Sequence, residues 1–179
     1  MSDGLINKMT TKNKKDEPIQ LSLFDEIDRQ TNESSDKRKI EALNYLTAGN
    51  ATFTLESTKL NKRHTYKVYH RKDDKCKDRY IVKLMYGSDN ESDYKFIGIY
   101  YADTGVYKSQ APSDNKPMYD KMFASFVGML HNHTKPWFNN CLFHKSGKCA
   151  CCGRKLTTPE SIERGVGPEC YEKLINKNL

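Results

Sequence analysis

Tyr80-Ile81-Val82-Lys83-Leu84-Met85-Tyr86, then Gly87 to Asp93, then Tyr94-Lys95-Phe96-Ile97-Gly98-Ile99-Tyr100-Tyr101: this stretch decides the fold. Two runs dense in β-branched and aromatic residues flank a polar segment rich in Asp and Ser. Such runs suit a pleated, half-buried surface, and such a break suits a reversal, so the pair reads as an antiparallel hairpin. Gly98, inside the second run, marks a bulge or a close approach of another backbone.

The same period extends in both directions. Phe53 and Leu55 alternate with Thr52, Thr54 and Glu56, and Tyr66 and Val68 alternate with Thr65 and Lys67. A short fifth run lies at Gly105–Lys108, and breaks fall at Lys59–Arg63, Asp73–Asp78 and Asp103–Gly105. Strand-like runs separated by turn signals at this spacing predict an antiparallel β-meander over residues 51–108. Downstream, Met118, Met122, Phe123, Phe126, Val127 and Leu130 recur at helical spacing, which predicts a helix covering one face of the sheet. Upstream, Ile40, Leu43 and Leu46 predict a short helix over residues 37–48, with Ser35 or Asp36 as its cap and Gly49 as its stop. The fold class expected is α+β.

A different chemistry begins near the C-terminus. Five of the six cysteines lie between Cys141 and Cys170, and Cys76 stands apart in a basic loop. Cys149-Ala150-Cys151-Cys152-Gly153-Arg154 contains a Cys-x-x-Cys followed by glycine, a spacing that lets two thiolates reach one ion from a single turn. Pro168 is placed to start a helix, which puts Cys170 in its first turn, where the helix dipole favours a thiolate. Knuckle, hairpin, then a helix carrying a ligand is a treble-clef-like layout. The fourth ligand has to come from upstream. The ligand set expected is therefore His144, Cys149, Cys152 and Cys170 around Zn2+, with Cys141 and then Cys151 as alternatives to His144. With all four positions filled by protein, such a site is structural rather than catalytic.

His144-x-x-Gly147-x-Cys149-x-x-Cys152-Gly153-Arg154-x-Leu156-Thr157-x-Pro159-x-Ser161-x-x-x-Gly165-x-Gly167-Pro168-x-Cys170 resembles a zinc-binding C-terminal domain of uncharacterised phage and bacterial proteins. Gly49–Ser57 and Thr65–Val68 resemble the start of the β-rich segment that precedes it there. The resemblance spans roughly residues 49–171 and implies zinc, a cytoplasmic setting and a phage or mobile-element origin. It carries no activity to transfer.

Residues 1–36 are polar, of mixed charge and without period, and read as a disordered tail. One apolar island interrupts it. Gln20-Leu21-Ser22-Leu23-Phe24 resembles the peptide by which proteins bind the bacterial DNA sliding clamp. A disordered segment of this kind can lay Leu23 and Phe24 in an apolar pocket, with Leu21 adding contact and Gln20 a directed hydrogen bond.

The chain has 179 residues, 36% apolar and 30% charged, with a net charge of +7. That excess favours an acidic partner such as DNA or RNA. It is concentrated in one place, where Lys62, Arg63, Lys67, Arg71, Lys72, Lys75, Lys77 and Arg79 are interleaved with Tyr66, Tyr69, His64 and His70. Alternation places Lys67, Tyr69 and Arg71 on one face and Tyr66, Val68 and His70 on the other, so of these two tyrosines only one is expected to meet a ligand. A basic ribbon with aromatic rings can follow a phosphate backbone and stack bases. The N-terminus lacks an apolar leader, no window is apolar enough to span a membrane, and the clustered cysteines read as metal ligands, so a cytoplasmic protein is expected.

No paired carboxylates at metal spacing, no phosphate loop and no oriented nucleophile occur, so no enzymatic activity is expected; a nuclease is the remaining enzymatic alternative. The organisation expected is a tail over 1–36, an α+β domain over 37–135 and a zinc module over 136–179. The function expected is a zinc-binding, DNA-associated accessory protein docking on the host sliding clamp. The alternative is a protein-binding inhibitor of a host defence or transcription enzyme.

Overall fold

The computed structural model describes residues 23–71, 75–89, 91–132 and 141–177, with side chains described from Ser34 to Lys177. The chain divides into two units, residues 1–35 and 36–179, and the sheet, the core and the clustered cysteines all belong to the second. Among the described residues, no helix is long and apolar enough to cross a membrane.

The expected meander is present. Strands β1 (Asn50–Ser57), β2 (Lys62–His70), β3 (Arg79–Met85), β4 (Tyr94–Tyr101) and β5 (Val106–Ser109) pair in succession, all antiparallel. A sixth strand, β6 (Cys141–Lys145), pairs antiparallel with the free edge of β1, giving the order β5-β4-β3-β2-β1-β6. The sequence places these five residues in the zinc module. In the structure they complete the sheet.

Helix α2 (Met118–Leu130) lies against one face through Met122, Phe123, Phe126, Val127, Met129 and Leu130. The sheet answers with Phe53, Leu55, Tyr66, Val68, Tyr80, Val82, Leu84 and Tyr100, all buried. Phe53 sits at the centre, its ring 5.1–6.5 Å from those of Tyr45, Tyr66, Phe123, Phe126 and Phe143. Burying each such side chain contributes about 1.5–3 kcal/mol.

Tyrosine hydroxyls on this face need partners once buried, and they bind the helices to the sheet. Tyr66 donates to the carbonyl of Tyr119 at 2.8 Å, Tyr80 to that of Thr47 at 2.9 Å, and the Tyr100 hydroxyl lies 2.8 Å from Nε2 of His131. Tyr107 and Ser109 of β5 donate to the two carboxylate oxygens of Asp120 at 2.5 and 2.8 Å. Asp120 is 1% exposed, so these two hydroxyls are what make its burial tolerable.

Helix α1 (Leu23–Leu46) is longer than expected. The tail assigned to residues 1–36 is helical from Leu23, because no Gly or Pro interrupts the chain before Gly49. Among its described side chains Ala42, Tyr45 and Leu46 are buried, while Ile40 is 59% exposed. The Ile40, Leu43, Leu46 stripe is thus offset from the face that packs. Gly49, at φ 113, ends the segment where a residue with a Cβ is strained.

One irregularity shapes the sheet. Between β3 and β4, Val82 pairs with Gly98 but Lys83 pairs with Phe96, so Ile97 is an extra residue in β4. A Cβ on Gly98 would stand 2.4 Å from the carbonyl oxygen of Lys108 and 2.6 Å from the ring of Tyr107. Gly98 therefore marks both a bulge and a close approach.

Candidate metal centre

The last element of the sheet delivers the chain to the cysteines. Beyond β6, Ser146 donates its N–H to the carbonyl of Thr52 at 3.1 Å, extending the ladder by one bond. The chain turns at Gly147 and forms a knuckle. Cys149 donates to Arg154 O and Gly153 donates back to Cys149 O, both at 2.8 Å. Gly153 has φ 77, the left-handed conformation this knuckle needs. The knuckle is tied to the sheet by Asn50 N–H to Ala150 O at 2.6 Å. A second bond, from Ala150 N–H to Gly165 O at 2.9 Å, ties it to the chain farther on.

Two helices complete the unit. Helix α3 (Pro159–Arg164) is capped by Thr158, whose Oγ1 accepts from Ser161 N–H, and ends at Gly165 in the left-handed conformation. Lys145 donates its ammonium to the carbonyls of Glu163 and Arg164 at that C-terminal end, where the helix dipole favours a cation. Helix α4 (Pro168–Lys177) begins at the proline, as expected, and carries Cys170 in its first turn.

Cys149, Cys151 and Cys170 come together, their sulfurs all within 4.8 Å of one another. A tetrahedral metal with bonds of about 2.3 Å to sulfur holds its sulfurs about 3.8 Å apart, so this cluster could close on one ion with small adjustments. Cys152, expected as the second ligand of the knuckle, is exposed and is not one of this group, although its side chain interacts with those of Cys149 and Cys170.

The acidities of the thiols fit a metal site. Burial opposes ionisation of Cys149, but the backbone N–H groups of Cys152, Gly167 and Cys151 outweigh it and bring its thiol down to about 7. The Gly167 N–H stands 3.5 Å from its sulfur. Cys151 is pushed up to about 11 by burial and then by the charge of Cys149. Cys170 is pushed up to about 12 by burial and then by hydrogen bonds with Cys152 and Cys149. Of the three, Cys149 is thus the one favoured as thiolate, while ionisation of Cys151 and Cys170 is disfavoured. A divalent cation among them reverses that arrangement and draws all of them to the thiolate form.

His144 is not part of this cluster. It lies opposite Thr54 in β6, 45% exposed at its side chain, with Nε2 3.3 Å from Glu56. Strand alternation explains the placement. Phe143 and Lys145 turn toward Tyr45, whereas His144 turns to the opposite face. Cys141 faces the core opposite Ser57, and burial pushes its thiol up to about 12. Cys151, ranked last as the fourth ligand, is the residue the structure gathers. Spacing alone could not show this, because it depends on how the knuckle rotates two adjacent side chains.

The other expected site residues are spread over the sheet and its connections. Arg63, Lys67 and Arg79 lie on the sheet face opposite α2, Lys62 starts β2, and Arg71, Lys75 and Lys77 belong to the β2–β3 connection. Lys72 lies outside the described residues. Tyr66 is fully buried and Tyr69 is on the opposite face, as alternation predicts. Gln20, Leu21 and Ser22 lie outside the described residues. Leu23 and Phe24 open α1, and their side chains are outside the description.

Residues 145–175 match the model of a family of unknown function (DUF6011). That span starts at the last residue of β6 and ends within α4, so it contains the knuckle, α3 and all three gathered cysteines. No curated protein and no solved structure matches the chain.

Proposed function

We propose that this chain is a zinc-braced, nucleic-acid-associated accessory protein of a phage or mobile element. In this reading it works in the bacterial cytoplasm and docks on the host DNA sliding clamp through Gln20–Phe24. It is a binding protein rather than an enzyme. The zinc is held by Cys149, Cys151 and Cys170, with Cys152 as the fourth ligand, and its role is to brace the knuckle against β1.

One observation carries the nucleic-acid part. The six strands contain eight Lys or Arg residues and a single acidic residue, Glu56. Five of the eight, Arg63, Lys67, Arg79, Lys83 and Lys108, share the face opposite α2, and such a concentration of positive charge favours an anionic partner. The clamp part is supported by the complete five-residue match of its peptide.

Two experiments test the reading. Pull-down with purified clamp is expected to retain the full chain and to lose a Leu23→Ala, Phe24→Ala double variant; equal retention of both sinks the clamp part. Elemental analysis is expected to give one zinc per chain, retained by His144→Ala and lost by Cys151→Ala. The reverse pattern would return His144 to the ligand set.

A further inference from the structure

The face of the sheet opposite α2 is covered by no element among the described residues, and its composition is not that of an ordinary solvated surface. The register sorts its side chains into rows that run across the strands. Arg79 pairs with Tyr101 and Tyr101 with Val106. Tyr69, Ile81, Ile99 and Lys108 form the next row, Thr52, Lys67, Lys83 and Phe96 the third, and Met85 and Tyr94 the fourth. Each row carries one aromatic ring, in order Tyr101, Tyr69, Phe96 and Tyr94, and successive rows are about 7 Å apart.

Lysines accompany the rings. The Nζ of Lys108 stands 5.1 Å from the centre of the Tyr101 ring, that of Lys83 5.6 Å from Tyr69, and that of Lys67 5.7 Å from Tyr94. Phe96 is 42% exposed, so its ring is open to a ligand. The bulge at Ile97 is what assembles this set. In a regular strand Tyr101 would face away from Tyr94 and Phe96, and the extra residue turns it to their side.

At the β1–β2 end the same face deepens into a cleft of about 760 Å3, lined among others by Thr52, Arg63, Lys67, Glu91, Tyr94 and Lys148. Lys148 is paired with Glu91 at 2.9 Å, so the cleft carries three cations against one carboxylate, and Lys67 and Tyr94 belong to both cleft and platform.

We infer that this face binds single-stranded nucleic acid. Bases stack on Tyr101, Tyr69, Phe96 and Tyr94, and the phosphates are met by Lys108, Lys83, Lys67 and the Arg63–Lys148 cleft. Unpaired bases are required because a duplex keeps its base faces stacked inside and cannot lend them to side-chain rings. The inference rests on the nucleic-acid part of the proposed function and specifies its ligand. It extends the basic ribbon of β2 to residues on β3, β4 and β5 that the sequence does not single out.

Fluorescence anisotropy on the full chain tests it, with mixed-sequence oligonucleotides of about 12 nucleotides, a length one sheet-sized site can hold. Arms with single-stranded DNA, single-stranded RNA and the DNA duplex separate the sources. Tighter binding of either single strand than of duplex is expected. Tyr69→Ala with Tyr101→Ala is expected to weaken single-strand binding at least tenfold, while Tyr69→Phe with Tyr101→Phe restores it, since the ring is kept. Lys67→Gln with Lys83→Gln is expected to weaken binding and to flatten its salt dependence. Duplex binding equal to single-strand binding and unmoved by the tyrosine variants overturns this inference but leaves the nucleic-acid reading standing. No binding in any arm at low salt overturns both.

Discussion

The two faces of the sheet use the same kinds of residue to opposite ends. On the α2 side Tyr66, Tyr80, Tyr100 and Tyr107 are sunk among Phe and Leu, and each hydroxyl finds a partner. On the other side Tyr69, Tyr94 and Tyr101 lie under lysine ammonium groups. The buried set holds helices to strands, so its rings are structure. The second set packs against lysines on the face opposite α2, the face proposed above to meet nucleic acid. A tyrosine is therefore classified by which way its strand turns it, not by its neighbours in sequence.

The largest effect expected from this difference is alkaline unfolding. Burial pushes the phenols of Tyr66, Tyr100 and Tyr107 well above their ordinary range. A phenol that resists ionisation in the folded state is stabilising below the unfolded-state value of about 10, and that contribution is lost as pH rises toward the folded values. Phenolate absorbance is expected to show a late phase that coincides with loss of the β-sheet circular dichroism signal. If all eleven tyrosines ionise while that signal persists, the covered face is not sealed.

Next comes Phe53→Ala, which removes the ring that five others surround and is expected to cost about 4 kcal/mol in urea unfolding. A loss below about 1 kcal/mol would mean that the helices can collapse into the space. Tyr107→Phe leaves the Asp120 carboxylate with Ser109 as its remaining hydroxyl donor, and about 2 kcal/mol is expected from losing a hydrogen bond to a charged group. The smallest effect belongs to the open face. Tyr69→Ala gives up one cation–π contact and is expected to cost at most about 1 kcal/mol. A cost equal to that of Phe53→Ala would make Tyr69 a structural residue and erase the contrast.

Much of the fold was legible from local pattern. The five meander strands announce themselves by alternation and turn residues, and α2 by its stripe of Met and Phe. Strand β6 was not legible, because a five-residue run holding Cys141 and His144, both candidate ligands, reads as part of a metal loop. Only its pairing with β1, which lies far earlier in the chain, makes it a strand. The extension of α1 back to Leu23 is not legible for a different reason. A helix needs only permissive residues, whereas sequence reading looks for an apolar period, and that period is absent there.

The candidate metal centre divides in the same way. Cys149 and Cys170 come from the knuckle spacing and from Pro168, which sets where α4 begins. That Cys151, and neither His144 nor Cys152, is gathered with them has no such local source, since strand alternation in β6 and backbone rotation in the knuckle decide it.

By itself, then, the sequence determined an antiparallel meander under a helix, a cysteine knuckle behind it, and an excess of positive charge. These depend on period and spacing, which are local properties of a chain. The tertiary structure decided which cysteines meet, that β6 closes the sheet, and that Tyr101 joins Tyr69, Phe96 and Tyr94 on one open face. Each of those depends on a contact between distant strands or on one extra residue in a ladder, and a single bulge is enough to send a side chain to the other side of the sheet.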